Sequence, residues 1–78
     1  MRLSNLEKGE CGIIKQINSD SILKARFSSF GVRRGVKVYI IEQTISKKTV
    51  EIRIDNTKIA LRLSEAEHIE VEKSKCTI

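Results

Sequence analysis

Hydrophobic and polar positions alternate with a period of two over much of this chain, which is typical of half-buried β-strands. The alternation is clear in residues 36–43, 50–55 and 58–63, where Val, Ile and Leu recur at every second position. A β-branched run at residues 11–17 and the spaced pair Ile69 and Val71 add two more short segments. The pattern therefore predicts five short strands.

A helical period interrupts the alternation between the first two predicted strands. Leu23, Phe27 and Phe30 stand at i, i+4 and i+7, with Ile22 beside them, and form one apolar stripe. It predicts a helix of roughly ten residues whose apolar face belongs to the core. Asp20 or Ser19 is suited to cap its first turn, and Gly31 stands where a left-handed residue would end it.

Three further features are predicted from local motifs. The short connector "DNT" at residues 55–57 favours an antiparallel hairpin between the third and fourth strands. Ser64 precedes Glu67 by three residues, the spacing of a capping box, and so predicts a single helical turn before the last strand. Residues 73–78 show no periodicity and are predicted to be a frayed tail.

These elements predict a mainly β fold: a small barrel of five short antiparallel strands with one short α-helix between strands 1 and 2. A sheet this small hides its core face and its edges best by curling up. The 78 residues form a single domain, 1–78, because they suffice for only one core. Glycines fall at the expected bends: Gly12, Gly31 and Gly35.

The outer face of the second strand carries Tyr39 and Ile41, opposite to Val38 and Ile40. A monomer rarely leaves a large apolar patch exposed. We therefore expect the helix and the N-terminal Leu3 and Leu6 to cover these two residues; the alternative is that Tyr39 and Ile41 form an exposed contact patch.

Charge is distributed unevenly around a net value of +5. Residues 21–41 carry five basic side chains and no acid: Lys24, Arg26, Arg33, Arg34 and Lys37. Residues 64–72 carry four glutamates: Glu65, Glu67, Glu70 and Glu72. One part of the surface should thus be positive and another negative. The basic residues are the candidate partner-binding patch, for an acidic protein surface or a phosphate group, although isolated surface cations are also common without any function.

Other chemistry has little support. Cys11 and Cys76 lie near opposite ends in no metal or redox spacing, and we expect reduced thiols in a cytoplasmic protein. His68 with the nearby acids shows no metal-ligand spacing, so neither a metal nor another cofactor is predicted. One His and no nucleophile motif predict a non-enzyme. No apolar run approaches the roughly 20 residues needed to cross a bilayer, so direct membrane insertion is not expected.

Three ordered motifs resemble the ferrous iron transport protein A family, FeoA. They are "L-x-x-L-x-x-G-E-x-G-x-I" at residues 3–14, "FGV-x-x-G-x-x-V" at 30–38 and "IALRLSEAEHIEV" at 59–71. The family often has Pro where this chain has Arg34. The resemblance implies an SH3-like barrel of the bacterial cytoplasm that assists the membrane GTPase taking up ferrous iron. Such a protein would reach the inner membrane through that partner.

Two alternatives stay open. A small nucleic-acid-binding barrel fits the basic charge, but three aromatic residues offer few platforms for stacking bases, so this partner is disfavoured. The resemblance also extends to the C-terminal domain of iron-dependent repressors, of which this chain would be a stand-alone relative. The sequence leaves self-association open.

Overall fold

The computed structural model describes residues 1–44 and 46–76. Its elements are, in chain order, a 3₁₀ turn (Leu3–Asn5), β1 (Cys11–Ile17), α1 (Ser21–Ser29), β2 (Lys37–Thr44), β3 (Thr49–Ile54), β4 (Thr57–Arg62), α2 (Leu63–Ala66) and β5 (Ile69–Ser74). The predicted bounds of β1 are confirmed, and those of β2, β3 and β4 are each shifted by one residue. The mainly β fold class is confirmed.

All five strands form one antiparallel sheet in the order β4-β3-β2-β1-β5. The predicted hairpin joins β3 and β4, where Ile54 opposes Thr57 and Asp55 takes a φ of 55°, which a short polar side chain tolerates. The register shifts at Lys15 in β1 and at Ile41 in β2. Such bulges bend a strand and increase its twist, which allows this small sheet to curl.

The two outer strands, β4 and β5, are connected by packed turns rather than by a strand ladder. α2 packs against β3, β4 and the 3₁₀ turn, and the 3₁₀ turn packs against β5. An isolated bridge between Arg2 and Glu70 fixes the N-terminal segment to β5. The curled sheet thus encloses a core of Ile, Leu and Val, in which the fully buried residues include Leu3, Leu6, Ile14, Val38, Ile40, Ile52 and Ile69.

α1 confirms the predicted caps but only part of the predicted stripe. The Asp20 carboxylate accepts the Leu23 N–H at 2.8 Å, and Gly31 follows the helix with a φ of 86°. Phe27 is fully buried and Leu23 partly so, whereas Phe30 is 39% exposed and Ile22 82% exposed. The assignment of Ile22 and Phe30 to the core was wrong: Phe27 is the buried residue of this nine-residue helix, and Phe30 lies beyond its end.

The predicted turn before the last strand exists as α2, but a different residue pair caps it. The prediction of Ser64 and Glu67 was wrong. The backbone N–H of Arg62 donates to Glu65 Oε1 at 3.0 Å, so the capping pair is Arg62 and Glu65, two residues earlier than predicted. Glu65 is selected because its side chain is buried at this junction, whereas Glu67 points to solvent.

The prediction of a frayed tail from residue 73 was wrong for its first part. β5 continues to Ser74, with Lys73 opposite Gly12 and Ser74 opposite Cys11. Lys73 and Ser74 pair with β1 through their backbones. Both side chains are polar, so the sequence shows no alternation of apolar and polar residues at the end of this strand. Residues 77 and 78 of the predicted tail lie outside the described part of the chain.

The two cysteines form a disulfide, so the expectation of reduced thiols was wrong for this structure. The antiparallel pairing of β1 with β5 brings Cys11 and Cys76 to a Cα–Cα distance of 5.4 Å although they are 65 residues apart in the chain. This distance is typical of disulfide-bonded cysteines. The sequence spacing gave no indication of the pair because it arises from sheet topology.

Candidate functional site: a basic groove

A groove of about 540 Å³ lies between β1, α1 and the loop that follows α1. We call it the basic groove; it is lined by Lys15, Gln16, Ile17, Lys24, Ser28, Val32, Arg33 and Arg34. It brings together three of the five predicted patch residues, namely Lys24, Arg33 and Arg34. Lys15, which enters the groove from β1, is not among the predicted patch residues.

The loop carrying Arg33 and Arg34 is held at both ends. The Val32 N–H donates to the Phe27 carbonyl at 2.9 Å, and the Val32 side chain is buried. On the other side, the Gly35 N–H donates to the Ile14 carbonyl at 2.7 Å. Arg33 and Arg34 are therefore presented from a fixed turn, which reduces the backbone entropy lost when this loop binds a partner.

The side chains of the basic groove differ in their internal partners. Arg33 Nη2 donates to the Ser28 carbonyl at 3.3 Å, and Lys15 Nζ lies 3.1 Å from a Glu72 carboxylate oxygen, in a pair that is exposed on both sides. Within residues 1–44 and 46–76, Lys24 and Arg34 form no ion pair. The groove therefore offers cations to an external anion.

Arg26, the fourth predicted patch residue, points elsewhere. Its Nη1 donates to Glu65 Oε2 at 2.9 Å, and its guanidinium lies 5.8 Å from the centre of the Phe30 ring. The Glu65 side chain is only 10% exposed. Arg26 therefore ties α1 to α2, and its charge is largely compensated inside the molecule.

Lys37, the fifth, lines a second groove on the outer face of the sheet. This Tyr39 groove, of about 360 Å³, is formed by Cys11, Lys37, Val38, Tyr39, Arg53, Asp55 and Cys76. The Arg53 guanidinium lies 5.0 Å from the centre of the Tyr39 ring, and the two residues are cross-strand neighbours. The predicted patch is thus divided between two surfaces.

The prediction that Leu3 and Leu6 cover Tyr39 and Ile41 on the outer face of β2 was wrong. Leu3 and Leu6 belong to the buried core with Val38 and Ile40, on the other face of the strand. Tyr39 is half-buried under Arg53 instead. Ile41 stands at the bulge of β2 and is also half-buried.

Of the three glycines predicted at bends, two have a left-handed backbone and one is explained by close packing. Gly31 and Gly35 adopt φ values of 86° and 89°, a left-handed conformation that other residues rarely take. Gly12 lies within β1, and a Cβ there would stand 2.9 Å from Leu6 Cδ1 and 3.3 Å from the Glu72 carbonyl oxygen. Close packing, rather than backbone conformation, explains this glycine.

The glutamates of residues 64–72 do not form one negative surface. Glu65 pairs with Arg26, Glu70 with the N-terminal amine at 3.5 Å, and Glu72 with Lys15. Only part of the predicted separation of charge is therefore present: the cations of the basic groove remain accessible, whereas most of these acids have an internal partner.

A carboxylate outside that segment is perturbed by its neighbours. Glu10 accepts from Lys73, and its Oε1 accepts the Glu7 N–H at 2.7 Å. These contacts, the Lys73 ammonium first, lower the pKa of Glu10 below its ordinary value, and Glu10 in turn raises the pKa of Lys73. The pair joins the turn before β1 to the end of β5.

The residues that the structure describes include neither a grouped set of metal-ligating side chains nor a membrane-spanning helix. No three His, Cys, Asp or Glu side chains within 1–44 and 46–76 are grouped so that they could hold a metal ion. None of the helices in these ranges is long and apolar enough to cross a bilayer. Glu65, Glu72 and Cys76, which lie near His68 in sequence, each have the partner described above.

Known structures define the class of this fold. A zinc complex of FeoA from Stenotrophomonas maltophilia, described as a prokaryotic SH3 domain protein, has a TM-score of 0.79 at 21% identity, over 92% of this chain and 89% of that one. A manganese-dependent transcriptional repressor has a TM-score of 0.87 at 20% identity, over 94% of this chain but 40% of the repressor. The protein is therefore a small SH3-like domain, as predicted.

Sequence comparison defines the family. The FeoA domain profile matches residues 1–73. The Fe(2+) transport protein A of Helicobacter pylori is 34% identical over 62 residues, which make up 80% of this chain and 82% of the relative. The chain belongs to the FeoA family, which confirms the resemblance drawn from its motifs.

Proposed function

We propose that this protein is a small cytoplasmic accessory protein of bacterial ferrous iron uptake. It acts by binding the cytosolic part of the membrane GTPase that transports ferrous iron, and it catalyses no reaction itself. The observation that carries the proposal is the family match over residues 1–73, together with a relative named for Fe(2+) transport. The expected location at the inner membrane follows from the partner.

The basic groove is the surface that suits such a partner best. It combines the cations Lys24, Arg33 and Arg34 with the apolar Ile17 and Val32. Arg is enriched at protein interfaces because its planar group makes paired hydrogen bonds with carboxylates. We therefore propose that an acidic segment of the transporter lies in this groove.

Isothermal titration calorimetry with the purified cytosolic part of the transporter GTPase tests this proposal. The double variant Arg33→Ala/Arg34→Ala should bind at least about tenfold more weakly, which corresponds to about 1.4 kcal/mol. Binding should also weaken as salt is raised, because exposed charges are screened. The matched control Lys47→Ala/Lys58→Ala removes the same number of charges away from the groove and should bind like the unmodified protein.

Two results would contradict the proposal. If the unmodified protein shows no heat of binding and its gene deletion leaves ferrous iron uptake unchanged, the accessory role is wrong. If both double variants lose affinity equally, the effect is one of net charge, and the groove is not the contact surface.

The two alternative functions predict different results. The basic groove has no aromatic side chain among its lining residues, so it lacks a platform for unpaired bases. Binding to short RNA or DNA with a steep salt dependence would nevertheless favour a nucleic-acid partner. The repressor comparison shows a shared fold, and 60% of that longer chain has no counterpart here, since the match covers 40%.

A further inference from the structure

The disulfide joins a buried cysteine in β1 to an exposed cysteine beyond the end of β5. Cys11 opens β1 and is 4% exposed, whereas Cys76 lies beyond the end of β5 and is exposed. The Sγ of Cys76 stands 3.5 Å from the Gly9 carbonyl oxygen, against the turn that precedes β1. The bond therefore fastens Lys75 and Cys76, which follow β5, onto the outer face of the sheet.

The pairing of β1 with β5 does not depend on this bond. The two strands are already hydrogen-bonded from Cys11 opposite Ser74 to Ile17 opposite Ile69. Glu10 and Lys73 add an ion pair at the same end. Cleavage of the disulfide would consequently release Lys75 and Cys76 while leaving the sheet intact.

The disulfide also forms one wall of the Tyr39 groove. Cys11 is the cross-strand neighbour of Tyr39, and both cysteines line this groove together with Lys37, Arg53 and Asp55. The position of Cys76 therefore controls access to Tyr39 from that side. A change in the bond changes the shape of this surface and not that of the basic groove, whose lining residues are different.

We propose that Cys11 and Cys76 form a reversible thiol–disulfide site, reduced by a cellular protein dithiol, which opens and closes the Tyr39 groove. The inference takes the cytoplasmic location from the proposed function. Disulfides in cytosolic proteins are usually transient or redox-sensing rather than structural. Cys76 is exposed, and access of the attacking thiolate to the sulfur is one of the factors that set the rate of thiol–disulfide exchange.

The chemistry is a two-step exchange. A thiolate of the dithiol attacks the exposed Cys76 Sγ, and the electron pair of the broken S–S bond goes to Cys11 Sγ, which takes up a proton. The second thiol of the reductant then attacks the mixed disulfide, releasing Cys76 as a thiol. The cysteine pair gains two electrons and two protons, and the dithiol becomes a disulfide.

The first experiment equilibrates the full chain with mixtures of reduced and oxidised dithiothreitol, traps free thiols by alkylation and counts them by mass spectrometry. We expect zero modified cysteines in the oxidised monomer and two in the reduced one, appearing together in a single transition. Two separately titrating thiols, or a disulfide-linked dimer on a non-reducing gel, would overturn the proposal. The measurement involves no transporter, so its outcome is independent of the proposed partner.

The second experiment follows the groove itself. The chain has one Tyr and no Trp, so its intrinsic fluorescence reports on Tyr39 alone. Reduction should increase the quenching of this fluorescence by acrylamide, and NMR amide shifts should change at Lys37 and Arg53 more than at Lys24 and Arg34. Unchanged quenching, or equal shifts at both grooves, would mean that the bond does not control access.

A pair of variants separates redox control from simple loss of a side chain. Cys76→Ser, at an exposed position, should show the reduced-like quenching and spectrum with or without dithiothreitol. Lys75→Ala, beside it, should keep the two-thiol transition. If Cys76→Ser resembles the oxidised protein, residues 75 and 76 stay in place without the bond and the proposal is wrong.

Discussion

Glu65 is expected to stabilise the junction of α1 and α2 through two separable contacts. One carboxylate oxygen accepts the Arg62 N–H at 3.0 Å, and the other accepts from Arg26 at 2.9 Å. Glu65→Ala removes both contacts. Glu65→Gln keeps an acceptor for the Arg62 N–H but removes the charge that faces Arg26, so comparison of the two variants separates the cap from the ion pair.

The expected magnitudes follow from the surroundings of each contact. Loss of the acceptor at a helix start costs about 1 kcal/mol. The ion pair contributes at most about 1 kcal/mol, because the Arg26 side chain is 53% exposed and water screens it. Glu65→Ala should therefore lower the free energy of unfolding by about 2 kcal/mol, and Glu65→Gln by about half as much.

Urea unfolding provides the measurement. The double-mutant cycle of Arg26→Ala with Glu65→Gln should give a coupling energy of about 0.5 to 1 kcal/mol. Glu67→Ala is the control, because Glu67 is exposed, and it should change stability by less than about 0.5 kcal/mol. If Glu67→Ala costs as much as Glu65→Ala, or the coupling is zero, the assignment of the cap and of Arg26 is wrong.

Three further predictions concern packing and charge. Gly12→Ala should destabilise the fold by about 1 to 3 kcal/mol in urea unfolding, because its Cβ meets Leu6 in a filled core; an unchanged midpoint would refute the clash. Phe27→Ala should cost about 3 to 5 kcal/mol in the same assay, because Phe27 is fully buried, and a loss below about 1 kcal/mol would contradict this. NMR titration should show a Glu10 pKa below its ordinary value, and in Lys73→Ala this pKa should return toward the ordinary value. Because the pKa of Glu10 is lower in the folded than in the unfolded protein, its ionised carboxylate stabilises the fold at pH values above the unfolded pKa. This stabilisation is lost as the pH falls through the folded pKa. An identical Glu10 titration in Lys73→Ala would show that Lys73 does not cause the shift.

Features determined by neighbouring residues could be predicted from the sequence. The strands follow from alternation, and the start and end of α1 follow from Asp20 and Gly31, whose effects extend over one helical turn. These local preferences agree with the fold, as expected for a natural sequence.

Features that depend on distant residues could not be predicted. The Cys11–Cys76 bond and the pairing of Arg26 with Glu65 require knowledge of which strands and helices become neighbours. For the same reason Lys15 was missed as a groove residue: it reaches the groove only because β1 passes beside α1. The net charge can be counted from the sequence, but which charged side chains lie next to one another depends on the fold.

α1 is held to the rest of the protein mainly by one buried side chain, which limits how long the basic groove stays formed. Phe27 is the fully buried residue of this helix, and the Arg26 pair is partly exposed. Elements with few buried contacts open by local unfolding before the global transition. Hydrogen exchange should therefore be faster in α1 than in β1, and each opening would carry Lys24 away from the arginines that share its surface.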